Sequence, residues 1–199
     1  MKNALIASVI SLMLLMVLFS VTAVAENDGT DKYTEEEKDD IARNKAYVAI
    51  GALIAMAVAG LFSAFALGIT GSSAVGVVSE KDEQFGKAMV LQVLPMTQGI
   101  YGLVTAVLLM MGAGFLGDAN DELLLDNAVG ITAIAIGLVV GLTGLSAIPQ
   151  GQISSASISA LARNEESFGK NIIFSAMPET MAIFGLLVAI LLMQGVGLL

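Results

Sequence analysis

"FGKAMVLQVLPMTQGIYGLVTAVLLM" (85–110) and "FGKNIIFSAMPETMAIFGLLVAILLM" (168–193) superimpose without a gap when Phe85 is laid on Phe168. They share the FGK opening, a proline (Pro95, Pro178), a threonine two positions on (Thr97, Thr180), an I-x-G-L step and a closing LLM. Self-similarity at a fixed period marks a repeated structural unit. A second long apolar run precedes each copy, so the unit is a pair of apolar segments spanning 46–116 and again 129–199. Both segments of a unit read as helices, because an isolated apolar span in lipid must satisfy its own backbone hydrogen bonds.

Composition places these helices in a membrane. The 199-residue chain is 56% hydrophobic and 14% charged, with a mean hydropathy of +0.85, which is too apolar for a soluble domain. Four runs stand out: Ala46–Ser79, Ala88–Gly117, Asn127–Ala162 and Asn171–Leu199. Each exceeds the roughly 20 residues needed to cross a hydrocarbon core of about 30 Å. The expected fold is therefore all-α: four transmembrane helices arranged as two tandem helical hairpins. The chain has no Cys and no His, which removes disulfides, Cys/His metal centres and His or Cys catalysis. It also lacks a Walker A loop, and its net charge of -9 sits in short segments between the spans, so neither nucleotide nor nucleic acid is an expected partner.

The connecting segments alternate in sign. "EKDEQFGK" (80–87) and "RNEESFGK" (163–170) hold two basic residues each, whereas "DANDELLLD" (118–126) holds four acids and no base. The positive-inside rule counts Lys and Arg, so 80–87 and 163–170 are expected in the cytoplasm, with the acidic loop and both termini external. Residues 1–25, with Lys2, an apolar core and Ala23 and Ala25 at A-x-A spacing, read as a signal peptide, the alternative being a retained fifth helix. Residues 26–45 hold eight acids and four bases and read as a solvated, external acidic arm, helical near its end. The first transmembrane hairpin is expected over 46–117 and the second over 127–199.

Small residues recur at three- and four-residue spacing. Gly60, Ala64, Gly68 and Gly71 lie on the first span, and Gly137, Gly141, Gly144, Ala147, Gly151 and Ser154 on the third. Such stripes let helix backbones approach closely in lipid, either between subunits of a ring or inside one bundle.

Of 18 acidic residues, Glu179 alone falls inside a span. An acid near the middle of a membrane helix costs about 2.5–3.5 kcal/mol on insertion scales, so it marks a pathway or a partner; the bland alternative is a protonated structural acid. Leu94, Thr97, Gln98 and Tyr101 share one helical face, and Gln150 lies on the small-residue third span. Pro95 cannot donate a backbone N–H, which frees the Leu91 carbonyl and favours a kink. These groups offer oxygen ligands only, which hard cations prefer. Singly, Thr97, Gln98 and Gln150 read equally as interhelical hydrogen-bond glue.

The motifs "LQVLPMTQGIYGLV", "SAIPQGQISSASI", "FGKNIIF" and "PETMAIFGLL" carry a resemblance to the proteolipid, the c or K subunit, of V/A-type rotary ATPases. It covers residues 46–199 and implies the V-type c-subunit fold in a homo-oligomeric rotor ring. The ring would turn against a membrane stator subunit and rest its 80–87 and 163–170 loops on a central-stalk subunit. By the same resemblance, Na+ would be held by the Leu94 carbonyl, Thr97, Gln98, Gln150 and Glu179, with Tyr101 bracing the glutamate. In the superposition of the two copies Glu179 falls on Met96, so the first copy has lost its acid. Gln152 is the rival to Gln150, and H+ is the rival cargo. No cofactor is implied, and no enzyme activity in the subunit by itself. A small proton-coupled transporter is a further reading, which the lack of Trp and the few Tyr disfavour because aromatic cages suit organic cations.

Overall fold

A computed structural model of the chain describes residues 32–117 and 120–199. The leader expected over 1–25, and the start of the acidic arm, lie outside them. The described residues form helices and turns with no strand. Four helical rods, α1 (Glu35–Glu80), α2 (Asp82–Gly112), α3 (Asn127–Leu161) and α4 (Glu165–Gly195), are each long and apolar enough to cross a membrane. The chain is a multi-pass, all-α membrane protein built from two tandem hairpins, as its repeat predicts.

The duplication is visible in the backbone itself. Lys81 (φ -141°, ψ 85°) and Asn164 (φ -145°, ψ 95°), equivalent positions of the two copies, turn each hairpin with nearly the same torsions. At the far ends Gly114 (φ 75°) and Gly197 (φ 79°) adopt the left-handed conformation that glycine allows without a Cβ penalty. Phe115 N–H then donates to the Met110 carbonyl and Leu198 N–H to the Met193 carbonyl, both at 2.9 Å, closing the same Schellman cap twice.

α1 and α3 form the central seam. An added Cβ at Gly137 would meet the Gly51 carbonyl, one at Gly144 the Ala59 backbone, and one at Gly151 the Ala66 backbone and methyl. Residue numbers rise together along both helices, so α1 and α3 run parallel and the two hairpins share one orientation. α2 runs antiparallel to α1, with Gly102 against Ala55 and Ala59 and Gly99 against Ser63. On the third span the expected small-residue stripe is the buried one: Gly137, Gly141, Gly144, Ala147, Gly151 and Ser154 all face inward. On α1 the face used is a different one. Gly51, Ala55, Ala59 and Ala66 are among its buried small residues, whereas Ala64 and Gly68 are exposed and Gly68 has nothing within 4 Å of its would-be Cβ. Small residues lie on more than one side of α1, so their spacing alone does not say which side is used.

Side-chain size is distributed as lipid exposure requires. The interior is rich in alanine, glycine and hydroxyl residues, while Leu61, Phe65, Ile131 and Phe184 are each more than half exposed. Without water to drive burial inside a bilayer, close packing of small residues holds helices together and bulky apolar groups face outward.

The acidic arm is helical near its end, and part of it is buried. Residues 35–45 continue α1 outward as helix, begun by a capping box in which the Thr34 hydroxyl accepts from Glu37 N–H and the Glu37 carboxylate accepts from Thr34 N–H. This stretch is not simply solvated. Ile41 and Asn44 are buried, Asn44 Nδ2 donates to the Leu124 carbonyl at 2.8 Å, Arg43 donates to Asn127 Oδ1 at 2.6 Å, and Lys45 pairs with Asp121 at 3.0 Å. The arm's bases complement the acidic loop, so the second half of the arm closes the end of the bundle that carries residues 120–126. Asn44→Ala strands the Leu124 carbonyl and is expected to cost about 1–3 kcal/mol. Thermal unfolding and protease cleavage within residues 118–126 measure this; wild-type values in both would mean that the arm adds nothing to the cap.

The FGK segments differ from the expected loops. Phe85 and Phe168 begin helices that run into the spans, so reversal of each hairpin takes only a short turn around Lys81 and Asn164. Lys87 pairs with Glu165 and sits 5.8 Å from the Phe168 ring centre, which joins the two turns.

Candidate ion-binding site

All three prolines of the chain lie at or near a helix break. α2 passes through a tight 3-10 turn at Leu94–Met96 around Pro95. α3 has one at Gly144–Ser146 just before Pro149, and α4 divides between Phe168–Ala176 and Glu179–Gly195 at Pro178. Proline lacks the N–H for the preceding turn and its ring crowds that carbonyl, which loosens each helix locally. The break in α4 places Glu179 in the first turn of a new helical segment, where the helix dipole favours negative charge.

The polar side chains converge on these breaks. Thr97 Oγ1 donates to the Leu94 carbonyl at 2.9 Å and lies 3.3 Å from Gln98 Oε1. Gln98 Nε2 donates to Gln150 Oε1 at 2.6 Å and lies 3.5 Å from Ser146 Oγ. Both glutamines are fully buried, and a buried amide is tolerated only when hydrogen-bonded. One turn along α2 from Gln98, the Tyr101 hydroxyl donates to Glu179 Oε1 at 2.7 Å, linking α2 to α4. Glu179 itself is partly exposed, between the outward-facing Met177 and Met181.

The structure thus joins Leu94, Thr97, Gln98 and Gln150 in one hydrogen-bonded chain and pairs Tyr101 with Glu179 beside it. Gln152 is exposed, two positions round the helix from Gln150, and points away from the cluster. Met96, which stands where Glu179 stands in the other copy, is exposed and apolar. Two serines were missed by sequence reasoning. Ser146 lies within reach of Gln98, and Ser63 Oγ accepts from Gly99 N–H at 2.8 Å beside the Pro95 break. The repeat lays Ser63 on Ser146, so the signal that could have found them was already in the sequence.

Chemically the cluster is a set of neutral oxygens near one carboxylate. Among the described residues no group of three or more His, Cys, Asp or Glu gathers to hold a metal. A single carboxylate balances one monovalent positive charge, and the Leu94, Thr97, Gln98 and Gln150 oxygens are hard ligands that can replace water around a small cation.

The sequence pattern of the C subunit of ATP synthase matches residues 50–109 and 134–192, one match per hairpin and together more than half of the chain. The chain belongs to this family. In this family member Leu94, Thr97, Gln98 and Tyr101 fall in the first matched segment and Gln150 and Glu179 in the second. The chain is similar to the A-type ATP synthase subunit K of Methanocaldococcus jannaschii, with 45% identity over 148 residues covering 74% of this chain and 62%, somewhat under two thirds, of that protein. It is also similar to the V-type sodium ATPase subunit K of Enterococcus hirae, with 39% identity over 146 residues covering 71% of this chain and 88% of that protein.

Proposed function

We propose that the chain is the rotor-ring proteolipid of a V/A-type ATPase or ATP synthase, and that it carries Na+ across the membrane by reversible binding at Glu179. The observation that carries this reading is the Tyr101–Glu179 hydrogen bond beside the buried Gln98–Gln150 pair. It gives one carboxylate, held at a helix break and partly open to the outside of the bundle, next to oxygen ligands already drawn together. The Leu94 carbonyl, Thr97, Gln98 and Gln150 are the proposed neutral ligands, and Tyr101 orients the carboxylate through its hydroxyl. The E. hirae relative is a sodium ATPase subunit by name, which supports sodium over protons.

In this reading copies of the chain form a closed ring in the cell membrane. A stator subunit faces the exposed flank of α4 near Glu179, loading and unloading the ion as the ring turns. The turns at 80–87 and 163–170 face the cytoplasm and rest on the central stalk, with both termini external. The subunit performs no catalysis alone; ATP chemistry belongs to its partners.

A hydrophobic carbodiimide, which attacks a protonated carboxyl, tests the cargo. In the purified assembly at fixed pH, millimolar-range sodium is expected to slow labelling of Glu179. Labelling that ignores sodium and follows pH alone would make protons the cargo, and failure of Glu179 to label under any condition would count against the rotor role itself.

A further inference from the structure

Two fully buried polar atoms on α3 have no protein partner: the Gln150 Nε2 atom and the Ser154 hydroxyl. They sit at i and i+4 on one helix, so their side chains stand one above the other on the same face, with Cβ atoms about 5–6 Å apart. Gln150 spends its other amide atom on Gln98. Exchanging oxygen and nitrogen in both amides would keep that pair and leave Gln150 an orphan acceptor instead of an orphan donor. Ser154, which can give or accept, stays unpaired in either case. A buried polar group left alone costs about 1–3 kcal/mol, so two adjacent ones call for a shared partner that can both donate and accept.

The surroundings fit a small, enclosed partner. On the side toward the 80–87 and 163–170 turns, Leu91, Ile158 and Leu161 are fully buried in a compact apolar cluster with Ala74, Val77 and Ala88. This plug separates Ser154 from that end of the bundle. α1 bounds the neighbouring turn through Ala66, against which Gly151 packs. No charged side chain belongs to this cluster, and an organic ligand would need to displace it. Water meets the requirement, since buried waters typically satisfy two to four otherwise orphaned polar groups.

We propose that Gln150 and Ser154 hold a buried water molecule between them, and that this water fixes the orientation of the Gln150 amide that meets Gln98. The second half rests on the ion-carrying reading above. Ser154 is then a positioning residue, acting on the cargo site through water and Gln150.

The test combines a ring structure at a resolution that places waters, for wild type and Ser154→Ala, with sodium protection of Glu179 against carbodiimide in both. Wild-type density is expected to show one water within hydrogen-bond distance of both side chains, absent in the variant. The sodium concentration for half-protection is expected to rise about fivefold in the variant, the equivalent of one neutral hydrogen bond. Wild-type density with no bridging water, or with both groups satisfied by other side chains, overturns the proposal. A water lost in the variant without any change in half-protection overturns the orienting role. Should wild-type labelling ignore sodium altogether, the sodium reading fails, while the density still decides whether the water is there.

Discussion

Glu179→Gln is expected to abolish ion translocation by the assembled complex, reducing sodium uptake in reconstituted vesicles to background and removing carbodiimide labelling. The side chains are nearly isosteric, so the α4 fold and the Tyr101 contact survive as a neutral hydrogen bond in place of the present 2.7 Å one to carboxylate. What disappears is the only negative charge within the four apolar runs. A neutral amide cannot balance a cation, and ionic hydrogen bonds are roughly twice as strong as neutral ones. In the proposed role the charge serves transport rather than the scaffold, so the ring is expected to assemble normally and stay silent. Residual transport above roughly a tenth of wild type would show that the ion takes another route and that Glu179 has a structural role.

Gly137→Leu is expected to prevent accumulation of folded protein. A Cβ at this position would lie 2.2 Å from the Gly51 carbonyl oxygen and 3.0 Å from Gly51 Cα. The obstacle is backbone, so no rotamer change relieves it, and the two helices must part. Overpacking in ordinary cores costs about 1–3 kcal/mol. Here the loss is greater, because parting α1 from α3 also undoes the Gly144 and Gly151 approaches along the same seam, and lipid supplies no hydrophobic force to restore them. Gly76→Ala, with nothing within 4 Å, should leave the fold of the single chain intact. Folded yield in mild detergent and its thermal midpoint measure both; normal Gly137→Leu protein would mean that the seam is looser than described.

Both expectations draw on information written unequally in the sequence. The two hairpins were legible because the repeat keeps its register without a gap, and hydropathy marks each of the four long charge-poor runs beyond residue 45 as a membrane helix. The spans' ends were harder. Charge marked Ala46 as the start of the first span, yet a capping box at Thr34 and burial of Ile41 and Asn44 carry the helix out to Glu35. Capping is a local signal, but whether a charged stretch finds a partner depends on the acidic loop, which is distant along the chain. At the site, the spacing of Leu94, Thr97, Gln98 and Tyr101 put them on one face, as found. Choosing Gln150 over Gln152 needed the rotation of α3, because both lie within a turn of Pro149 and only packing against the neighbouring helices decides which points inward. The α1 face misjudged from its small-residue spacing has the same origin: sequence spacing gives a stripe, and a neighbour decides which stripe is used.

If Glu179 carries the ion as proposed, Met96 at the equivalent position of the first copy would set a gear ratio. A rotary machine made of such chains would carry one cation for every four helices, where a ring with an acid in every hairpin would carry one for every two. A full revolution of equal circumference would then move half as many charges for a given amount of ATP turned over. Each ion takes a larger share of that chemical work. Running as a pump, a low-geared motor of this kind builds a steeper gradient than its fully charged counterpart; running in reverse, it stalls sooner as the gradient falls.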